Sequence, residues 1–199
     1  MTYQFYISLN GVKPKVWRRV LVPDYMTFDE FHMVLQVAMG WEDIHLYQFA
    51  TSQVVGKEYI GILEEEELED FVHRRKPKLN ALKLNLRDYP LEVGQLFEYR
   101  YDFGDDWRHT VKLEKVIENH LLYPRCLAGK GICPPEDCGG TQGYVHLLES
   151  MADPLHGQHQ EFRKWLGLKK GERFEELYGF DLKAANAIML EIFIEENKA

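Results

Sequence analysis

Nowhere does this sequence run apolar for the roughly 18 residues that a membrane-spanning helix needs. Its opening stretch, MTYQFYISLN, has no basic segment leading into an apolar one, so no secretory signal is expected. Cysteine is scarce and odd in number, at three. Together these predict a cytoplasmic protein with free thiols, unless a metal claims them. Positive charge is also short. Lys and Arg total 24 against 32 Asp and Glu, giving a net charge of −8 and a pI near 5.5. Proteins that depend on nonspecific phosphate contacts are usually basic, so nucleic acid is a possible but disfavoured partner and a membrane is excluded.

Motifs with known chemistry are missing as well. The cysteines Cys126, Cys133 and Cys138 are spaced C-x6-C-x4-C, without the C-x2-C pair of a zinc knuckle or ribbon. The phosphate loop G-x4-G-K-[ST] is absent from AGKGICPPE. What is present is an ordinary globular mixture, 45% hydrophobic and 28% charged, which argues against disorder. A length of 199 residues suits one domain over 1–199 with a helical extension.

Residues 3–9, with Tyr3, Phe5, Ile7 and Leu9 on one face, and residues 16–22 predict a first hairpin about the Asn-Gly turn. A helix follows. Thr27 and Glu30 fit a capping box, Phe28, Phe31, Leu35 and Met39 form a buried stripe, and Gly40 suits the left-handed position past the end. His32 lies beside the stripe as a packed histidine. HLYQFAT (45–51) and ALKLNLRDYPL (81–91) read as strands, the latter closing in a turn at Asp88–Pro90. The acidic run 63–71 reads as a solvated face, offset by the basic HRRKPK after it. Beyond residue 140 the pattern is helical: from near Thr141 to before Pro154, over HQEFRKWLG, and over DLKAANAIMLEIFIEEN with Leu182, Ala185, Met189 and Phe193 on one face. The expectation is therefore α+β. Residues 1–120 supply a mostly antiparallel sheet built from hairpins plus one helix, 121–143 a Cys/Gly/Pro-rich loop, and 144–199 a helical C-terminal third.

Two stretches stand out. Folding QLFEYRYDFGDDWRHTVKLEKV about Asp105 sets Phe103 against Trp107, Tyr101 against His109, Tyr99 against Val111 and Phe97 against Leu113 on one apolar face. The other face then pairs Asp102 with Arg108, Arg100 with Thr110 and Glu98 with Lys112. Asp105 and Asp106 fall in the turn, where Asp and Gly are favoured. His109 reads as a satisfied core position, with a ligand or acid/base role as the alternative. The second stretch, residues 123–144, carries five glycines and three prolines and reads as a long loop of the kind that is often functional. Its Gly139-Gly140-Thr141 precedes a helix, either as a tight turn with a threonine cap or as an anion-binding helix start.

The segments WRRVLVP, HLYQF, YDFGDDWRH, PRCLAGKGICPPEDCGGTQGY and ADPLHGQHQEFRKWLG, in that order, resemble the plasmid Ri ORF-three-like family over about residues 3–185. The resemblance implies a mixed α+β domain of archaea and bacteria, with members on plasmids or beside mobile elements, and brings no established activity or catalytic residue. The C-terminal GERFEELYGFDLKAAN is longer than the family's usual segment there. Some relatives carry a resolvase label, but none of the eight histidines here has arginine three positions on, and Ser8 lacks arginine-rich surroundings, so recombinase chemistry is not expected.

Three functional readings follow. The leading one is a noncatalytic binding domain for an unknown protein or small ligand. Its surface would combine Asp105, Asp106, Trp107, His109, Glu136, Asp137, Gly139, Gly140 and Thr141, with no cofactor required. The second is a divalent-metal-dependent hydrolase or nuclease using Asp102 with these acids, and Cys126, Cys133, Cys138 and His109 as candidate ligands. It requires the hairpin and the loop to meet in space. The third is nucleic-acid binding through Arg18, Arg19, Arg74, Arg75, Lys76 and Lys78, with Trp17 as a stacking surface.

Overall fold

A computed structural model of the chain describes residues 1–53, 56–62 and 79–196. The acidic run 63–71 and the basic Arg74, Arg75, Lys76 and Lys78 lie outside the described residues.

Eight strands form one sheet: β1 (Thr2–Leu9), β2 (Trp17–Pro23), β3 (Tyr47–Gln53), β4 (Gly56–Gly61), β5 (Leu79–Asn80), β6 (Leu96–Tyr101), β7 (Trp107–Ile117) and β8 (Arg125–Lys130). Their order is β5-β4-β3-β6-β7-β1-β2-β8, antiparallel throughout except for the two-residue β4–β5 pair. The α+β expectation holds, with α1 (Phe28–Met39) after the first hairpin and α2 (Gly140–Ala152), α3 (His159–Trp165), α4 (Phe174–Leu177) and α5 (Leu182–Glu196) at the C-terminal end.

The capping box of α1 forms as the sequence requires. Glu30 N–H donates to the Thr27 hydroxyl, and Thr27 N–H donates to the Glu30 carboxylate at 2.6 Å. Gly40 closes the helix at φ 93°, in the left-handed region that glycine enters without steric penalty. The apolar stripe of α1 lies on one face of the sheet. Phe31 stacks on Phe49 of β3 at 5.6 Å and meets Phe5 of β1 at 4.6 Å and Phe97 of β6 at 6.5 Å. Such aromatic contacts add about 0.5–1.5 kcal/mol each beyond their burial.

Two expectations are corrected. Residues 81–91 are not a strand. Ala81 and Leu84 turn their carbonyls to the Asp29 and Phe28 amides at the start of α1, and Leu86–Asp88 makes a short 3-10 turn. Leu84 and Leu86 are turned toward the core, but their backbone bonds go to Phe28 and Met26 and not to a neighbouring strand. The supposed loop 121–143 contains β8, whose Cys126 is buried between exposed neighbours, because β2 supplies a partner despite the local glycines. Finally, α4 was not anticipated from sequence.

The β6–β7 hairpin carries its aromatics inward, as expected, with Tyr99, Tyr101, Trp107, His109 and Val111 all fully buried. Its register, however, differs by two residues. Tyr101 pairs with Trp107, Tyr99 with His109 and Phe97 with Val111, while Arg100 faces Arg108 and Glu98 faces Thr110. A two-residue shift leaves every side chain on its own face, so the hydrophobic pattern cannot detect it. The turn decides instead. Asp102 and Asp106 adopt φ of 51° and 57°, and the Asp106 amide donates to the Asp102 carbonyl at 2.7 Å, closing a longer loop.

Candidate functional site

Each aspartate of the hairpin tip has a separate task. Asp106, not Asp102, is the arginine partner. It bridges Arg100 and Arg108, whose like charges would otherwise repel across the strands. Asp105 reaches outward to the Cys/Gly loop, where its Oδ2 accepts the Gly139 amide at 3.0 Å. Asp102 is buried. Its Oδ1 accepts the Gly104 amide at 2.8 Å, and its Oδ2 faces His45 at 3.7 Å.

The hairpin and the loop therefore meet. No side chain caps α2, so the expected threonine cap is replaced by a contact from another part of the chain, with Asp105 holding the residue before the helix. The approach is close. A Cβ on Gly140 would lie 2.8 Å from the Asp105 carbonyl oxygen, and Gly140 has φ 68°. Gly140→Ala is expected to lower stability by about 2 kcal/mol through the combined clash and left-handed strain. A urea unfolding midpoint unchanged from wild type would contradict this contact.

A third segment joins them, the connection between α1 and β3. The Trp41 indole N–H donates to the Pro134 carbonyl at 2.9 Å, and the Glu42 amide donates to Glu136 Oε1 at 3.1 Å. Tyr101 donates its hydroxyl to the same Oε1 at 2.9 Å. This docking brings His45 Nε2 to 3.1 Å from Asp137 Oδ1. The ligand atoms of His45, Asp102 and Asp137 all lie within 4.8 Å of one another, the one such group among the described residues. His45 was missed from sequence. It reads as the first residue of a strand, and nothing local marks it as facing two carboxylates from elsewhere in the chain.

The other candidates lie apart. Cys126 sits on the edge strand with its thiol toward the Arg19 and Ala128 carbonyls. Cys133 is buried and Cys138 half-buried. Burial raises all three thiols, Cys138 to about 12, so they are protonated at neutral pH and poor nucleophiles. Trp107 and His109 are inside the core, where burial lowers His109 to about 4. Thr141 packs beneath Gly11. Glu136 is raised chiefly by burial, and its Oε2 is enclosed without a hydrogen-bond partner. Of the basic set, Arg18 is buried. Arg19 binds Glu114 on the opposite face of the sheet, beside the stacked rings of Tyr6 and Trp17.

Glu136 and Asp137 also border a cleft of about 740 Å³ between the end of α1, residues 133–137 and the C-terminal helices. Trp165, Leu177 and Ile188 are each about half exposed along it.

A family model described as plasmid pRiA4b ORF-3-like protein matches residues 1–187. The chain belongs to this family. The uncharacterized protein y4hQ of Sinorhizobium fredii is 37% identical over 163 residues, covering 81% of this chain and 78% of that one. The crystal structure of MM3350, a protein of unknown function from Methanosarcina mazei Go1, superposes with a TM-score of 0.74 at 33% identity. It covers 92% of this chain and 96% of that one. The fold of this chain is thus shared with the archaeal protein.

Proposed function

We propose that this ORF-3-like chain is a noncatalytic binding domain whose ligand enters the cleft beside Glu136 and carries a positive group on an apolar body. The observation behind this reading is Glu136 itself. It lines the cleft with one carboxylate oxygen enclosed and unpartnered, a costly arrangement unless a donor arrives. Glu42, Glu176 and Asp181 add negative charge around it, while Trp165, Leu177 and Ile188 offer apolar contact. The volume is that of a small-ligand site. The thiols and His109, which the sequence offered as reactive groups, are sealed or protonated.

The test is thermal-shift and tryptophan-fluorescence titration against a panel of aromatic and aliphatic amines, with uncharged analogues beside them. Stabilisation by cations alone, weakened at least tenfold by Glu136→Gln or Trp165→Ala, is the expected result. Equal responses to charged and uncharged compounds, or none, would refute the reading. The meeting of hairpin and loop also favours a second reading, a metal-dependent hydrolase, since that function needs acids from both segments at one place.

A further inference from the structure

We infer that His45, Asp102 and Asp137 form a binding site for a divalent first-row transition ion, with Zn²⁺ the expected occupant. This goes beyond the cleft reading: the ion takes His45, Asp102 and Asp137, the organic ligand is read on Glu136 and Trp165, and Asp137 alone borders both.

The geometry has three parts. First, the spacing suits a shared ion. Ligands about 2.0–2.2 Å from one metal lie roughly 3.0–3.5 Å from each other, and His45 Nε2 stands 3.1 Å from Asp137 Oδ1 and 3.7 Å from Asp102 Oδ2. Second, the existing contacts leave the histidine nitrogen unsatisfied. His45 Nε2 is enclosed and makes no hydrogen bond, although Asp137 Oδ1 stands only 3.1 Å away. Asp102 has a side chain only 9% exposed, and its Oδ2 makes no hydrogen bond among the described residues. The Gly104 amide satisfies its Oδ1, which leaves Oδ2 as the oxygen free to take an ion.

Third, the ligands come from three separate segments fixed by other bonds. Asp102 is oriented by the Gly104 amide. The His45 segment is tied down by Tyr101, whose hydroxyl accepts the Ile44 amide at 3.2 Å. Asp137 follows Glu136, itself held by Tyr101 and the Glu42 amide. One imidazole with two carboxylates matches a borderline ion better than Ca²⁺ or Mg²⁺, which favour all-oxygen shells. Asp137 is 68% exposed, so the ion would be reachable from solvent and keep positions for water.

The experiment is isothermal titration of Zn²⁺, and separately Mn²⁺, into full-length protein purified without an affinity tag and stripped with chelator. One equivalent of Zn²⁺ per chain is expected. Asp137→Asn should weaken it at least a hundredfold while leaving the metal-free melting temperature unchanged, since that side chain is mostly exposed. His45→Gln should do the same, and Cys126→Ser should leave binding intact. Co²⁺ substitution adds a spectroscopic readout, visible bands that disappear in Asp137→Asn. Failure to bind Zn²⁺, or equal binding by wild type and Asp137→Asn, would overturn the assignment and leave a plain His–Asp contact. The amine titration above would be unaffected, so the two proposals fail separately.

Discussion

Replacing Arg18 with methionine is expected to cost roughly 3–5 kcal/mol, the largest loss from any single substitution considered for this chain. Arg18 is only 1% exposed, and no carboxylate lies within ion-pair distance of it among the described residues. Its guanidinium is satisfied by backbone carbonyls instead. Nε donates to Ala38 at the end of α1, Nη1 to Trp17, Lys130 and Gly131, and Nη2 to Gly131. The ring of Phe180 covers it at 4.1 Å. One side chain thus ties α1, β2, β8 and the segment before α5 together. Methionine would remove the cost of burying a charge, which offsets part of the loss. The carbonyls of Ala38 and Gly131 would then have no replacement donor, and each orphaned group costs about 1–3 kcal/mol. Lysine should fare little better, because a single ammonium cannot reach four carbonyls set around a planar fork. Urea unfolding measures the loss. A change below about 1 kcal/mol in Arg18→Met would show that water or neighbouring amides replace the fork.

The second large effect is on pH. Burial lowers His109 from its ordinary 6.5 to about 4, because its ring is enclosed by Tyr99 and Trp41 and only Nδ1 has a partner, the Tyr99 carbonyl at 3.3 Å. The folded form therefore holds the neutral imidazole. In the unfolded chain the ring takes up a proton below 6.5, so the unfolded state binds more protons between 6.5 and 4. Stability from this group is fully present above 6.5, falls with falling pH, and is gone below about 4. The full difference is roughly 3 kcal/mol. Unfolding free energies measured from pH 7.5 to 4 should fall more steeply in wild type than in His109→Gln, which cannot titrate. Parallel curves would place the acid sensitivity elsewhere.

How much of this could be read from sequence depends on whether the signal was local. The cap of α1 involves residues three apart, so Thr27, Glu30 and Gly40 were legible. The faces of the β6–β7 hairpin were legible from alternation. Its register was not, because the pattern repeats every two residues and the deciding information is the left-handed backbone of Asp102 and Asp106. The roles of the three aspartates changed with it. Arg18 looked like one of a surface pair with Arg19, but successive strand residues point to opposite faces, and only one of the two reaches solvent. His45 had no local mark at all. Its partners lie 57 and 92 positions away in the sequence and are brought together only when the α1–β3 connection docks on the loop.

One edge of the sheet carries a further consequence. Among the described residues no strand lies beyond β8. In its place the side chain of Asn186, on α5, donates to the Cys126 carbonyl at 2.9 Å and accepts the Cys126 amide at 2.8 Å. The carboxamide imitates the peptide group of a missing neighbour, offering one donor and one acceptor in the plane where a strand would lie. At Cys126 this takes the bonding positions through which a foreign chain could add itself to the sheet. Helix α5 thus covers one stretch of the sheet's border, and its detachment would leave that stretch open to pairing.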